Sequence, residues 1–184
     1  MKHFWKLLSL SLALLATACV PSLHSLYTES DLIFDKKLLG HWVDDDSSWI
    51  IKKGSNQDYE ITMIDSDQKT GNFEGHLLQL GEHKFLDLYP IDPELESNDF
   101  FKFHLVPTHT FAWIQYDESK LSMRFMHIET ISAILTQHPD AIKHERIEDR
   151  VLLTASTKDL QAFILKHMHD EKFFIEPSEY QRQL

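Results

Sequence analysis

Between Leu38 and His127 the apolar segments follow one another too closely for crossover helices, and this restricts the fold more than any other feature. A parallel strand pair needs a connection of about a dozen residues or more, usually a helix. No such stretch occurs here. Leu38–Val43 and Trp49–Lys53 flank the acidic turn Asp44-Asp45-Asp46-Ser47. Tyr59, Ile61 and Met63 alternate with Glu60 and Thr62, which is the period of a half-buried strand. Lys69–Asn72 reads as a turn. Phe73–Leu80 and Lys84–Tyr89 flank Gly81-Glu82, a tight hairpin signal.

Pro90–Asp99 is the longest polar connection. Phe101, Phe103 and Leu105 then alternate with Lys102 and His104 until Pro107. Thr110–Tyr116 and Leu121–His127 flank the turn Asp117–Lys120. The spacing predicts about eight strands in an antiparallel meander, curled into a barrel or a strongly bent sheet so that few edges stay open. Ile131, Ile134, Leu135 and His138 share one helical face, ended by Pro139. Val151–Thr154 fits a ninth strand. Ser156 stands three residues before Asp159, the spacing of a helix cap, and Leu160, Phe163, Ile164 and Met168 form the stripe of a second helix. The predicted class is mainly β (α+β), with two short C-terminal helices and an exposed tail over 177–184.

The N-terminus has a different character. Lys2 and Lys6 precede a short apolar run, Leu7–Leu15, and small residues follow up to Cys19. This is the layout of a secretory signal peptide, and its apolar run is too short to span a bilayer. Leu15-Ala16-Thr17-Ala18-Cys19 resembles the lipobox of bacterial lipoproteins. That resemblance implies cleavage before Cys19 and acylation of Cys19, which is the chain's single cysteine. Each buried CH₂ contributes ~0.8 kcal/mol, so two or three acyl chains anchor stably where one does not. The family resemblance further implies outer-membrane delivery in a host with two membranes, because Val20 stands where aspartate favours inner-membrane retention. The expected organisation is a signal peptide over 1–18, a lipidated tether over 19–30, one β-rich domain over 31–176 and the tail. The alternative at Cys19 is a secreted protein with a free thiol.

A lone cysteine excludes a disulfide framework and any multi-cysteine metal site. The formal charge of −11 becomes −13 once Lys2 and Lys6 are removed, which argues against nucleic acid as a partner. Gly40-His41-Trp42 at the first strand resembles the Gly-x-Trp signature of lipocalins, in which the tryptophan closes the barrel base. A helix after about eight strands fits the same plan. Leu78–Gly81 and Phe85–Leu88 also look like segments of uncharacterised bacterial lipoproteins.

Candidate sites are few. Trp42, Tyr59, Phe85, Phe103, Trp113 and Phe125 are the candidate lining of a ligand cavity; the same alternating aromatics serve equally to fill a core. Asp87, between Leu86 and Leu88, is a cavity group only if its face turns inward. His104, His109 and His144 are the candidate metal ligands, though none matches a finger or HExxH spacing. Asp65-Ser66-Asp67 starts like a calcium loop but fails at Lys69, Thr70 and His76. Nucleophile motifs such as Gly-x-Ser-x-Gly are absent. The functional expectation is therefore a non-enzymatic, lipid-anchored envelope module without a cofactor, binding a small apolar or amphipathic ligand. The alternatives are a structural or protein-interaction lipoprotein and histidine-based metal binding.

Overall fold

The computed structural model describes residues 19–91, 96–148 and 150–183; the expected signal peptide over 1–18 lies outside them. Five strands come first: β1 (Gly40–Val43), β2 (Ser48–Lys53), β3 (Tyr59–Ile64), β4 (Thr70–Leu80) and β5 (His83–Pro90). A short helix α1 (Asp99–Lys102) precedes β6 (Thr110–Tyr116) and β7 (Lys120–Phe125). Helix α2 (Ile128–Gln137), strands β8 (His144–Ile147) and β9 (Arg150–Leu153), and helix α3 (Thr157–His167) follow, and β10 (Ser178–Gln183) comes last.

The sheet closes on itself in the order β1-β10-β7-β6-β5-β4-β3-β2, and every neighbouring pair is antiparallel. The predicted mainly-β antiparallel barrel is what forms, with the two expected helices outside it. Its architecture is compatible with a lipocalin-like barrel.

Strand alternation sorts side chains into two cores. On β5, Leu86 and Leu88 point into the barrel, while Phe85 packs in the layer outside it. Inside, Trp42, Tyr59, Leu77, Leu86, Leu121 and Met123 are all 0% exposed. A side chain with no accessible surface touches no water-sized void, so around these six the barrel is packed like a protein interior. Outside, α2 contributes Ile131 and Leu135, and α3 contributes Leu160, Phe163 and Ile164. These cover the outward faces of β4, β5 and β6 through Leu78, Phe85 and Phe111. Ser156 caps α3 as its spacing predicts, accepting from the Asp159 N–H and donating to the Asp159 carboxylate at 2.7 Å.

Three expectations are corrected. Residues 101–105 do not form a strand. β5 pairs directly with β6, Phe85 opposite Trp113, and leaves no place in the sheet. The alternating phenylalanines instead start in α1, capped by Asn98, whose side chain accepts from the Phe101 N–H. Second, residues 178–183 are no exposed tail. They are β10, which pairs with β1 and β7 and supplies the eighth strand of the barrel. Third, residues 19–30 are no free tether. Val20 is 2% exposed and Leu26 0%, both within the outer core. The Val151–Leu153 strand exists, but it pairs with β8 in a separate hairpin.

Candidate functional site

The polar group buried most deeply in a strand is Asp87, 1% exposed in the middle of β5. Alternation turns it outward, away from Leu86 and Leu88, under the N-terminal segment. One carboxylate oxygen accepts the Leu26 backbone N–H at 2.8 Å. The other meets His109 Nδ1 at 2.7 Å. His109, just before β6, exchanges two backbone hydrogen bonds with Ser22, at 2.9 and 2.8 Å. Leu23 and Pro21 bond to the backbone of Leu153 in β9. A buried carboxylate thus holds the N-terminal segment twice, directly through Leu26 and indirectly through His109.

Aromatic rings surround this node. Tyr89 lies 4.6 Å from the His109 ring, and Tyr27 stacks on His76 at 4.4 Å. Burial, then the nearby Asp87, Glu74 and Asp58 carboxylates, pushes the Tyr27 hydroxyl up to about 12. A carboxylate-oriented imidazole is a general-base arrangement in outline. The nearby hydroxyl, however, is occupied: Ser22 Oγ donates to the His24 carbonyl at 2.8 Å and accepts the His24 N–H. What the node does in this structure is hold the N-terminal segment by hydrogen bonds.

A second cluster plugs the barrel end near the start of β5. The Asp35 carboxylate accepts from the Lys37 N–H and the Tyr116 hydroxyl, and Lys84 lies 3.6 Å away. Its pKa is lowered by the Lys37 N–H first, with Tyr116 and Lys84 adding to it. Tyr59 accepts the Asp35 N–H at 2.8 Å, and burial raises its hydroxyl to about 12. At Arg182, on the last strand, the guanidinium lies 4.0 Å over the Trp42 ring and donates to the carbonyls of Lys37, Leu39 and Glu118. Gly40 is needed there. Its φ is +148°, and a Cβ would run into the Arg182 guanidinium.

The six candidate lining residues do not share a cavity. Trp42 and Tyr59 are sealed in the inner core, and Phe125 packs against it. Phe85 belongs to the outer core, and Trp113 packs against it beneath Arg124 and beside Phe174. Phe103 is 82% exposed, outside both cores. Packing between sheet and helices, absent from a simple barrel picture, claims Phe85 and Trp113. The three candidate metal ligands also stay apart. His104 Nδ1 sits against the Phe100 carbonyl, His109 against Asp87 and His144 against the Ile142 carbonyl. Among the described residues no group of three or more His, Cys, Asp or Glu could hold a metal ion.

A cleft of about 520 Å³ opens between α2 and α3, lined by Ala133, Ile134, Ala141 and the polar Gln137, His138, Lys166 and His167. His167 Nε2 is buried without a hydrogen-bond partner, and its ring stacks on Phe173 at 5.1 Å. Cys19, the expected lipidation site, is half-buried, and burial raises its thiol pKa. No protein-family model, curated protein or solved structure matches the chain.

Proposed function

We propose that this chain is a lipid-anchored lipoprotein of a bacterial envelope, non-enzymatic, whose barrel works as a solid scaffold through its outer surface. The packed interior carries this reading. Trp42, Tyr59 and Leu86, all at 0% exposure, leave no space beside them for the apolar ligand a hollow barrel would hold, which supports a scaffold over a ligand carrier. The lipobox resemblance at Leu15–Cys19 supports the anchor, and Val20 next to it supports delivery to an outer membrane, facing the periplasm. A net charge of −13 on the processed chain suits a protein partner with a basic face and disfavours nucleic acid.

The test is metabolic labelling with an alkyne fatty acid, followed by crosslinking in cells. The wild-type chain should take up the label and remain with membranes, and Cys19→Ala should do neither. A specific crosslinked protein is expected; label on Cys19→Ala, or no reproducible partner, counts against the proposal.

A second reading has its own observation. An amphipathic small molecule fits the cleft between α2 and α3, whose apolar floor sits beside the unpartnered His167 Nε2 and the Lys166 ammonium. A fatty acid titrated into the protein should then shift the His167 ring resonances. Unchanged resonances at saturating ligand would remove this reading.

A further inference from the structure

Of the nine large hydrophobic side chains exposed among the described residues, five lie between Phe100 and Val106. Phe100 is 78% exposed, Phe101 54%, Phe103 82%, Leu105 47% and Val106 68%. Scattered apolar residues on a surface need no explanation, but five within seven positions form a patch that marks an interaction site. The segment is held in shape by polar contacts: Asn98 caps α1, and His104 Nδ1 lies 2.7 Å from the Phe100 carbonyl. Its rings are presented, not buried.

Where the segment lies says what covers it. It runs through Pro107 into His109, which is cross-strand partner to Ser22, three residues after Cys19. Three residues span at most about 11 Å, and a hydrogen-bonded antiparallel pair sits about 5.5 Å apart. Val106 is therefore within roughly 27 Å of Cys19, on a domain roughly 40 Å across. The packed domain begins at Val20, 2% exposed, so acyl chains on Cys19 would hold the domain itself at the headgroups with no spacer. Leu23, 38% exposed, adds apolar surface beside the anchor. The segment is close to neutral: α1 carries Asp99 and Lys102, and no other Asp, Glu, Lys or Arg falls between Asp99 and His109, in a processed chain of net charge −13.

We propose that the Phe100–Val106 segment is a second membrane contact, inserting its phenylalanines into the bilayer that holds the acylated Cys19. The proposal rests on the lipoprotein reading above. Its rings would lie at the headgroup and upper acyl level, as the apolar faces of interfacial segments do. The domain would then be fixed in one orientation on the membrane, where the acyl chains alone would let it pivot about Cys19.

The experiment uses the processed protein extracted from membranes and reconstituted into vesicles of phosphatidylethanolamine and phosphatidylglycerol. An environment-sensitive fluorophore is placed by Phe103→Cys, and by Gln57→Cys in the exposed β2–β3 turn as control. The fluorophore at position 103 should brighten several-fold and be quenched by lipid-borne quenchers, and the one at 57 should do neither. Replacing Phe100, Phe101, Phe103 and Leu105 by serine should speed transfer between vesicles by at least about tenfold, because the anchor then acts alone. All four are exposed, so an unchanged circular dichroism spectrum is expected.

A fluorophore at 103 that stays in water while acylated protein floats with the vesicles overturns the membrane contact and leaves the anchor standing. One that is buried only after envelope proteins are added assigns the segment to a protein partner and overturns it equally. An intact mass without acyl chains shows a different failure, that of the anchor, and the contact falls with it.

Discussion

Replacing Asp87 by leucine should release the N-terminal segment before the barrel unfolds. The carboxylate is 1% exposed and serves two donors, the Leu26 N–H at 2.8 Å and His109 at 2.7 Å. Leucine fills nearly the same space but accepts nothing. Each buried polar group left without its partner costs about 1–3 kcal/mol. The apolar gain of leucine offsets part of this, so the expected loss is about 3 kcal/mol, a large share of the ~5–15 kcal/mol that holds a domain together. Asp87→Asn should cost only about 1 kcal/mol, since one amide oxygen still accepts from Leu26.

Urea unfolding gives the global figure, and hydrogen exchange gives the place. Residues 20–27 of Asp87→Leu should lose protection by about a hundredfold, the equivalent of ~2.7 kcal/mol, while β3 and β4 change far less. If Asp87→Leu stays within about 0.5 kcal/mol of wild type with its N-terminal amides still protected, the two-donor latch is wrong.

Arg182→Ala should cost about 2–4 kcal/mol, because three carbonyls lose their donor and the Trp42 ring its cation; a Tm fall of roughly 5–12 °C measures it. Gly40→Ala should be destabilising alone and less so in the Arg182→Ala background, a coupling that a double-mutant cycle reads directly. His167 gives a pH signature. Burial first, and Lys166 second, lower its pKa from the ordinary 6.5, so the folded state prefers the neutral ring. Its contribution is intact above pH 6.5 and is lost as pH falls through the depressed folded value, so His167→Phe should flatten the decline in stability below pH 6.5. An equal decline in wild type and variant would sink that assignment.

What the sequence reveals depends on whether a structural decision is local. Hairpins are local. Gly81, at φ +60°, turns β4 into β5, and the Asp117 side chain accepts the Ser119 and Lys120 N–H groups between β6 and β7. Those strands are legible to within a few residues. β10 is not, because Ser178–Gln183 carries one large apolar residue, Tyr180, and its place is set by the open edges of β1 and β7. The 101–105 alternation misleads for the opposite reason: a strand-like pattern has no partner strand.

The candidate site follows the same rule. Asp87 and His109 are each conspicuous in the sequence, one inside an apolar strand and one among many histidines. Nothing local joins them, and the third member, the Leu26 N–H, is a backbone group with no signature at all. The aromatic candidates fail as a set because alternation decides which side of a strand faces in, but not that a layer outside it also needs filling.

The central claim is that a packed barrel is fastened to a membrane at its own first residue. Intact mass spectrometry of the chain taken from envelope membranes tests it most directly. A polypeptide beginning at Cys19, carrying two or three acyl chains and no retained small molecule, is the predicted result. A chain that keeps residues 1–18, or one that begins at Cys19 with a free thiol and amine, would contradict it.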